Sequence, residues 1–207
     1  MTRLLLLLLA ASTTLALQAC APVVIGAAGG AAYSSLEDRR TTGTQIDDES
    51  IEVRASNRVS DRFGSTVHVN VTSYNRQALL TGEVPEEKTR TEVEKIVRAV
   101  PTVKDVTNDL QIAGISSYGA RGNDAYLTTK VRGRLLDTKR VSPVHIKVVT
   151  EASVVYLMGV VTEPEADETV EIARNTGGVR KVVKVFEYCK PTDDACRASA
   201  SKTKATQ

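Results

Sequence analysis

The chain has 207 residues, of which 25% are charged, 42% are apolar and 4% are aromatic. This profile is typical of a small soluble protein and excludes a membrane bundle or a disordered chain. The 27 Lys and Arg against 25 Asp and Glu leave a net charge of +2, with only two His and three Cys. A surface that binds nucleic acid needs more positive charge, so we expect no nucleic-acid partner. Two well-separated histidines offer little basis for a His-based catalytic triad, so we expect no catalytic residue and no small-molecule substrate.

Residues 1–19 are typical of a secretory signal peptide. Arg3 precedes an apolar run over residues 4–11, and small residues close the segment. A membrane-spanning helix needs about 20 apolar residues, so the shorter run indicates a signal that is removed rather than a transmembrane helix.

The end of this segment, Leu17-Gln18-Ala19-Cys20, resembles the lipobox of bacterial lipoproteins. The resemblance implies that Cys20 becomes the first residue and receives a diacylglycerol and an N-acyl chain, and we expect no other cofactor. Several acyl chains give stable anchoring, whereas one is marginal. Ala21 in the next position favours the outer membrane, on its periplasmic side. The alternative is an ordinary cleavage site with a chance Cys.

Two segments outside the folded part are predicted. Residues 20–45 are small and polar around a run of Gly and Ala, which is typical of a flexible tether. Residues 190–207 are typical of a frayed polar tail. An oxidising compartment permits a disulfide between Cys189 and Cys196, and the short loop between them can close without strain. Two free thiols are the alternative.

The remaining chain contains an internal repeat with a register difference of about 76 residues. The alternating segment 79–84 matches 155–161, each interrupted by one Gly. The segment 98–106 matches 174–182. The repeat therefore predicts two similar units rather than one larger domain.

Each unit has the pattern helix, strand, strand, helix, strand. Apolar residues at i, i+4 and i+8 predict that each first helix buries one stripe, Ile51, Ala55 and Val59 in one unit and Leu127, Val131 and Leu135 in the other. Two helices can cover one face of a three-stranded sheet, which predicts an α+β layer pair. The predicted strands are 68–72, 78–84 and 103–112 in the first unit and 144–149, 154–161 and 179–188 in the second, and the second helices are 86–100 and 165–175.

The twice-repeated pattern resembles the BON domain, a fold of bacterial envelope proteins, and two copies behind a lipobox resemble its dual-domain outer-membrane lipoproteins. The segment 40–48 looks like the approach to the first domain, and 126–132, 157–163 and 178–182 look like the second. The predicted boundaries are 46–114 for the first domain, 115–123 for a glycine-containing linker and 124–189 for the second domain. The disulfide pair and its tail depart from the family pattern.

The first helix of the second unit has an apolar and cationic outer face. At about 100° per residue, Tyr126 and Leu136 fall on opposite flanks of the face turned away from the buried stripe. Such a face can lie in a phospholipid surface, where each cation contributes about 1 kcal/mol near anionic headgroups. The BON resemblance also implies that this helix binds anionic phospholipid. The predicted phospholipid-binding residues are Tyr126, Thr129, Lys130, Arg132, Gly133, Arg134, Leu136 and Lys139.

The first unit serves as an internal control, because Ser50, Ser56 and Ser60 occupy the positions of Tyr126, Arg132 and Leu136 and its helix is rich in acids. The alternative interpretation is a solvated basic helix whose Tyr126 and Leu136 pack against the first domain.

Two residue types inside the predicted strands have structural explanations. His68 and His145 each fall in the first strand of their unit, where a partly buried, hydrogen-bonded His is the ordinary finding, so no metal site is expected. Gly82 and Gly159 lie within strands and indicate a bulge or a close backbone approach.

The sequence therefore predicts a non-enzymatic, monomeric outer-membrane lipoprotein that binds a phosphatidylglycerol-like membrane surface. The family resemblance adds a role in outer-membrane integrity and in localisation at division sites. The alternative function is a protein-binding adaptor, in which the same face contacts an outer-membrane assembly protein or a cell-wall-remodelling component.

Overall fold

The computed structural model describes residues 38–138, 140–193 and 196. The predicted signal peptide, Cys20, most of the predicted tether, Lys139 and the end of the tail lie outside the described residues. Within the described part, no helix is both long enough and apolar enough to cross a membrane.

Each half of the described chain folds in the predicted order of helix, hairpin, helix and third strand. The first half consists of α1 (Thr42–Phe63), β1 (His68–Tyr74), β2 (Gln77–Val84), α2 (Glu87–Arg98), β3 (Asp105–Asn108) and β4 (Gln111–Ile112). The second half consists of α3 (Tyr118–Asp137), β5 (Ile146–Glu151), β6 (Val154–Val161), α4 (Glu163–Arg174) and β7 (Lys181–Tyr188). Short 3₁₀ turns, Gly64–Thr66 and Pro143–His145, precede β1 and β5.

The sheet of each half has its second strand in the middle. In the first half, β2 pairs antiparallel with β1 and parallel with β3 and β4. In the second half, β6 pairs antiparallel with β5 and parallel with β7. The parallel pairs require the crossover that α2 and α4 provide. The predicted stripes are buried: Ile51, Ala55, Val59, Leu127, Val131 and Leu135. The α+β fold with two repeated units is confirmed.

Both first helices begin earlier than predicted, because each has an N-cap upstream of its apolar stripe. The Thr41 hydroxyl accepts from the Thr44 amide, so α1 begins inside the segment predicted as tether. The Ser117 hydroxyl accepts from the Ala120 amide, so α3 begins inside the segment predicted as linker. Side-chain acceptors at this position satisfy amides that the helix itself leaves unpaired.

Two strand predictions differ from the structure. The third strand of the first half is interrupted after Asn108, whose side chain donates to the Arg90 carbonyl and accepts from the Leu110 amide. Side chains that bond to the backbone compete in this way with the sheet. The prediction that His145 lies in a strand is wrong, because Pro143 at the first helical position favours a 3₁₀ turn before β5.

A buried aspartate on each first helix holds the hairpin turn of its own domain. Asp48 accepts from the amides of Asn75 and Arg76 at 2.9 and 2.7 Å. Asp124 accepts from the amides of Ala152 and Ser153 at 2.9 and 2.8 Å. All four turn residues have positive φ although none is Gly, which is the backbone of a type I′ turn. The carboxylate therefore compensates for a turn that its own residues disfavour.

A third apolar cluster joins the two sheets. Tyr74 and Leu79 of the first half pack with Tyr156, Met158 and Val160 of the second, and all are buried. Polar contacts border the cluster: the Tyr74 hydroxyl donates to the His145 carbonyl at 3.2 Å, and the Tyr156 hydroxyl donates to Asp109 at 2.6 Å. Burial raises the pKa of both phenols, so both remain donors. The two halves therefore form one packed body within the described residues.

The chain leaves β7 at Cys189, which is disulfide-bonded to Cys196 with the Cα atoms 6.2 Å apart. Cys196 is buried, and its amide donates to the Asp193 carbonyl at 3.0 Å.

We expect the chain from Ala21 onward, which lacks Cys20, to be unreactive toward iodoacetamide under denaturing, non-reducing conditions, since both of its cysteine sulfurs are in the disulfide. After reduction, intact-mass measurement should show two carbamidomethyl groups on these cysteines. Alkylation of both without a reductant would show that the thiols are free.

Candidate lipid-binding surface

The outer face of α3 exposes large apolar side chains. Tyr126 is 62% exposed, Leu136 is 68% exposed, and Tyr118 near the start of the helix is 89% exposed. Neither Tyr126 nor Leu136 packs against the first domain, so the alternative in which that domain covers them does not hold in the structure. Single exposed apolar residues are ordinary, but several on one helix face indicate a contact surface.

Tyr118 extends this face beyond the residues predicted from the sequence. It lies 18 positions before Leu136, which is about five turns and roughly 27 Å along one side of the helix. The Arg121 guanidinium lies 5.3 Å from the centre of the Tyr118 ring. Sequence reasoning missed Tyr118 because residues 115–123 were assigned to a linker. The repeat could have placed it, since Ser117 stands in the position of the helix cap Thr41.

Small residues occupy the middle of the face between the apolar ends. A Cβ built at Gly122 or Gly133 would meet no described heavy atom within 4 Å, so both glycines face open space. The Thr129 hydroxyl donates to the Ala125 carbonyl one turn earlier and is satisfied within the helix. A flat surface of large area can therefore approach the helix backbone here.

The predicted cations lie along the flanks of this face and are held by neutral acceptors. Lys130 donates to the Gly177 carbonyl at 2.9 Å, and its Nζ lies 5.9 Å from the centre of the Tyr126 ring. Arg132 donates to the Val148 carbonyl at 3.1 Å. Arg134 donates to the Asn175 carbonyl and to the Thr176 hydroxyl. Among the described residues none of the three forms an ion pair, so their positive charges are uncompensated.

The two acidic residues of α3 near this face, Asp124 and Asp137, form no ion pair with its cations among the described residues. Asp124 is buried and directed at the hairpin turn rather than at the surface. Asp137 is exposed at the end of α3. Arg140, beyond the helix, forms an ion pair with Glu168 at 3.1 Å. Lys139 belongs to the predicted set but lies outside the described residues.

The matching helix α1 also exposes apolar residues, and its exposed cations Arg54 and Arg58 form no ion pair among the described residues. Ile46 and Val53 are exposed to a similar extent. Its cation Arg62 forms an ion pair with Glu92, and its acids Asp47 and Glu52 form ion pairs with Arg76 and Lys147. The two helices therefore differ mainly in the acids and serines of α1, and the lipid preference inferred from the repeat stays a prediction.

A cleft of about 510 Å³ lies beside α3, between that helix, β5 and the first domain. The side chains of Thr128, Arg132 and Glu151 line one side, and His68 and Asn70 of β1 line the other. Burial raises the pKa of the Glu151 carboxyl, although the hydrogen bond from Asn70 opposes the shift.

Comparison with known proteins places the fold in a family. The BON domain model matches residues 44–114 and 123–190. The chain is 37% identical over 153 residues to the outer membrane lipoprotein DolP of Haemophilus influenzae, covering 73% of this chain and 79% of that protein. It is 31% identical to a 21 kDa hemolysin of Actinobacillus pleuropneumoniae, again covering 73% of this chain and 79% of that protein. It is 28% identical to osmotically-inducible protein Y of Escherichia coli, covering 68% and 72% of the two chains. The two matched copies account for both halves of the fold, and the chain belongs to the BON domain family.

Proposed function

We propose that this protein is a non-enzymatic, lipid-anchored outer-membrane protein, facing the periplasm, that binds anionic phospholipid through the outer face of α3. The similarity to an outer membrane lipoprotein and the lipobox-like Cys20 support the anchoring. The observation that supports lipid binding is the combination on one helix face of exposed Tyr118, Tyr126 and Leu136 with cations that pair with no carboxylate of the described residues. These cations are Lys130, Arg132 and Arg134.

The proposed contact combines two kinds of interaction. The tips of Tyr126 and Leu136 enter the boundary between headgroups and acyl chains, which removes apolar surface from water. Lys130, Arg132 and Arg134 still have N–H donors to offer to phosphate oxygens, and each cation near an anionic surface contributes about 1 kcal/mol. Zwitterionic lipid would supply only the first of these interactions.

Anchoring and helix contact reinforce each other. Acyl chains on Cys20 would hold the protein near the bilayer, so a weak contact by α3 becomes an intramolecular event at high effective concentration. The first domain packs on the second through the shared cluster around Tyr74 and Tyr156 and would fix the orientation of α3. Enrichment at anionic lipid patches, including division sites, and support of membrane integrity are the proposed consequences.

We expect Leu136→Glu to weaken binding to phosphatidylglycerol-containing vesicles by at least about tenfold, because it removes an apolar side chain that would enter the bilayer and adds a charge of the same sign as the headgroups. The measurement is co-sedimentation of the unacylated chain from Ala21 onward with anionic and with purely zwitterionic vesicles. Binding should require anionic lipid and should weaken with salt.

The matched control is Val53→Glu, because Val53 is an apolar residue of α1 in the other domain and is 60% exposed, close to the exposure of Leu136. It should leave vesicle binding unchanged. If Leu136→Glu binds anionic vesicles as well as the native chain does, or if both variants lose binding equally, the proposed lipid site on α3 is wrong. If the native chain itself stays in the supernatant, the adaptor function of the same face becomes the better explanation.

A further inference from the structure

Three side chains able to ligate a metal ion meet at the junction of the two domains. They are His68 on β1, Glu83 on β2 and Glu151 on β5, and one donor atom from each lies within 4.8 Å of the others. His68 and Glu83 are register partners across the first hairpin. Glu151 comes from the second domain, so the cluster exists only because the two domains pack together.

The two carboxylates of this cluster are both buried. Glu83 is 6% exposed and Glu151 is 5% exposed. Glu83 Oε2 lies 2.8 Å from His68 Nδ1 and accepts from the Ser116 amide at 3.3 Å. Glu151 Oε2 accepts from Asn70 at 2.8 Å. Among the described residues neither carboxylate is within ion-pair distance of Lys or Arg, and neither Oε1 atom accepts a hydrogen bond. Buried acids in this arrangement are costly unless a cation joins them.

We propose that His68, Glu83 and Glu151 bind one divalent transition metal ion of the Zn²⁺ type. Imidazole nitrogen and carboxylate oxygen bind Zn²⁺ at about 2.0–2.2 Å, so donors a few ångströms apart converge on an ion by small side-chain rotations. The ion takes the place of the hydrogen bond between His68 Nδ1 and Glu83 Oε2. The cleft of about 510 Å³, which His68 and Glu151 line, leaves room for water as a fourth ligand.

The chemistry of the donors selects the type of ion. Ca²⁺ takes six to eight oxygen ligands, and Mg²⁺ requires a near-octahedral oxygen shell. The imidazole nitrogen of His68 disfavours both ions, which prefer shells made of oxygen alone, but one imidazole with two carboxylates matches the mixed nitrogen and oxygen sets that bind Zn²⁺. Asn70 and the Ser116 amide already orient the two carboxylates, as outer partners do in metal sites.

Bound metal would link the domains and hold α3. Glu151 directly precedes Ala152, whose amide donates to Asp124 of α3, and Thr128 of the same helix donates to Thr150. A ligand that binds only the docked arrangement adds its binding free energy to the stability of that arrangement. The inference concerns the domain junction and does not depend on the lipid function.

The test is titration of Zn²⁺ into the mature, metal-free protein in detergent micelles, followed by isothermal calorimetry and by thermal unfolding. We expect one ion per chain and a rise of the unfolding temperature with Zn²⁺ concentration, with Ca²⁺ and Mg²⁺ producing neither. Co²⁺ should give the intense visible absorption of a low-coordinate site with a nitrogen ligand.

The conservative variants His68→Gln and Glu151→Gln should each weaken Zn²⁺ binding by at least about tenfold. Glu86→Gln, which removes an exposed carboxylate of the first domain, should bind as the native chain does. Far-UV circular dichroism without metal identifies any variant that fails to fold. If one ligand variant is unfolded, the Zn²⁺ affinity of the other ligand variant tests the proposal. Absence of saturable heat in the native protein, or equal affinity in the ligand variants and Glu86→Gln, overturns the proposal.

Discussion

Replacing Asp48 with alanine is expected to lower the free energy of unfolding by about 3–5 kcal/mol, because one buried carboxylate satisfies four donors. It accepts from the Ser73 hydroxyl at 2.7 Å, from the Asn75 and Arg76 amides, and from the Arg40 guanidinium at 2.7 Å. The two amides lie in a turn with positive φ at both central residues. Without the carboxylate, the turn loses the acceptor that compensates for this backbone.

Urea denaturation of the native protein and the variant measures this loss. Asp47→Ala is the matched control, because Asp47 is adjacent in sequence but forms a half-exposed ion pair with Arg76, and exposed pairs contribute about 0–1 kcal/mol. Asp124→Ala, which loses the equivalent two amide bonds in the second domain, should cost about 2–4 kcal/mol. Equal effects of Asp47→Ala and Asp48→Ala would contradict the role assigned to the buried carboxylate.

This aspartate illustrates what the sequence could and could not predict. The helical period places Ile51, Ala55 and Val59 on one side of α1, and the structure buries all three. The same period places Asp48 on this stripe, since it lies three positions before Ile51 and seven before Ala55, but it does not say what a carboxylate buried there would bind. Its role depends on the hairpin, which approaches only after the strands have paired. Comparison of the repeats supplies the missing signal, since Asp124 is its counterpart at the same spacing.

The packing between the two domains could not be predicted from the sequence for a related reason. Strand β6 is apolar at almost every position, which indicates burial on both faces. It does not say which element covers the second face, and that element is the sheet of the first domain, through Tyr74 and Leu79. The same packing brings Glu151 to His68 and Glu83, so the proposed metal site could not be found from spacing along the chain.

The outer face of α3, the proposed lipid-binding surface, was easier to predict from the sequence, because all of its described residues lie on one helix. Rotation by about 100° per residue is enough to direct Tyr126 and Leu136 away from a stripe that includes Val131. The hydrogen bonds of Lys130 and Arg132 to carbonyl groups depend on where β5 and the end of α4 approach the helix. Those contacts position the cations without neutralising them, which the sequence alone could not establish.

The second large effect is expected from Gly82→Ala, which should lower the free energy of unfolding by about 3–5 kcal/mol, through strain at a left-handed residue and a backbone clash. Gly82 has φ +115, and an added Cβ would lie 2.1 Å from the His68 carbonyl oxygen. Because Gly82 pairs with Val69 in the ladder, relief of the clash must separate β1 from β2. That movement would also displace His68 from Glu83.

Two other glycines provide the comparison, again by urea denaturation. Gly159→Ala places its Cβ 2.4 Å from the His145 carbonyl oxygen but at an ordinary φ, so the clash alone should cost about 1–3 kcal/mol. Gly133→Ala, on the open face of α3, should stabilise the protein by about 0.5–1 kcal/mol, since alanine favours the helix. We therefore expect Gly133→Ala to be the most stable of the three variants and Gly82→Ala the least stable. A Gly82→Ala variant as stable as Gly133→Ala would show that the hairpin tolerates a side chain at position 82.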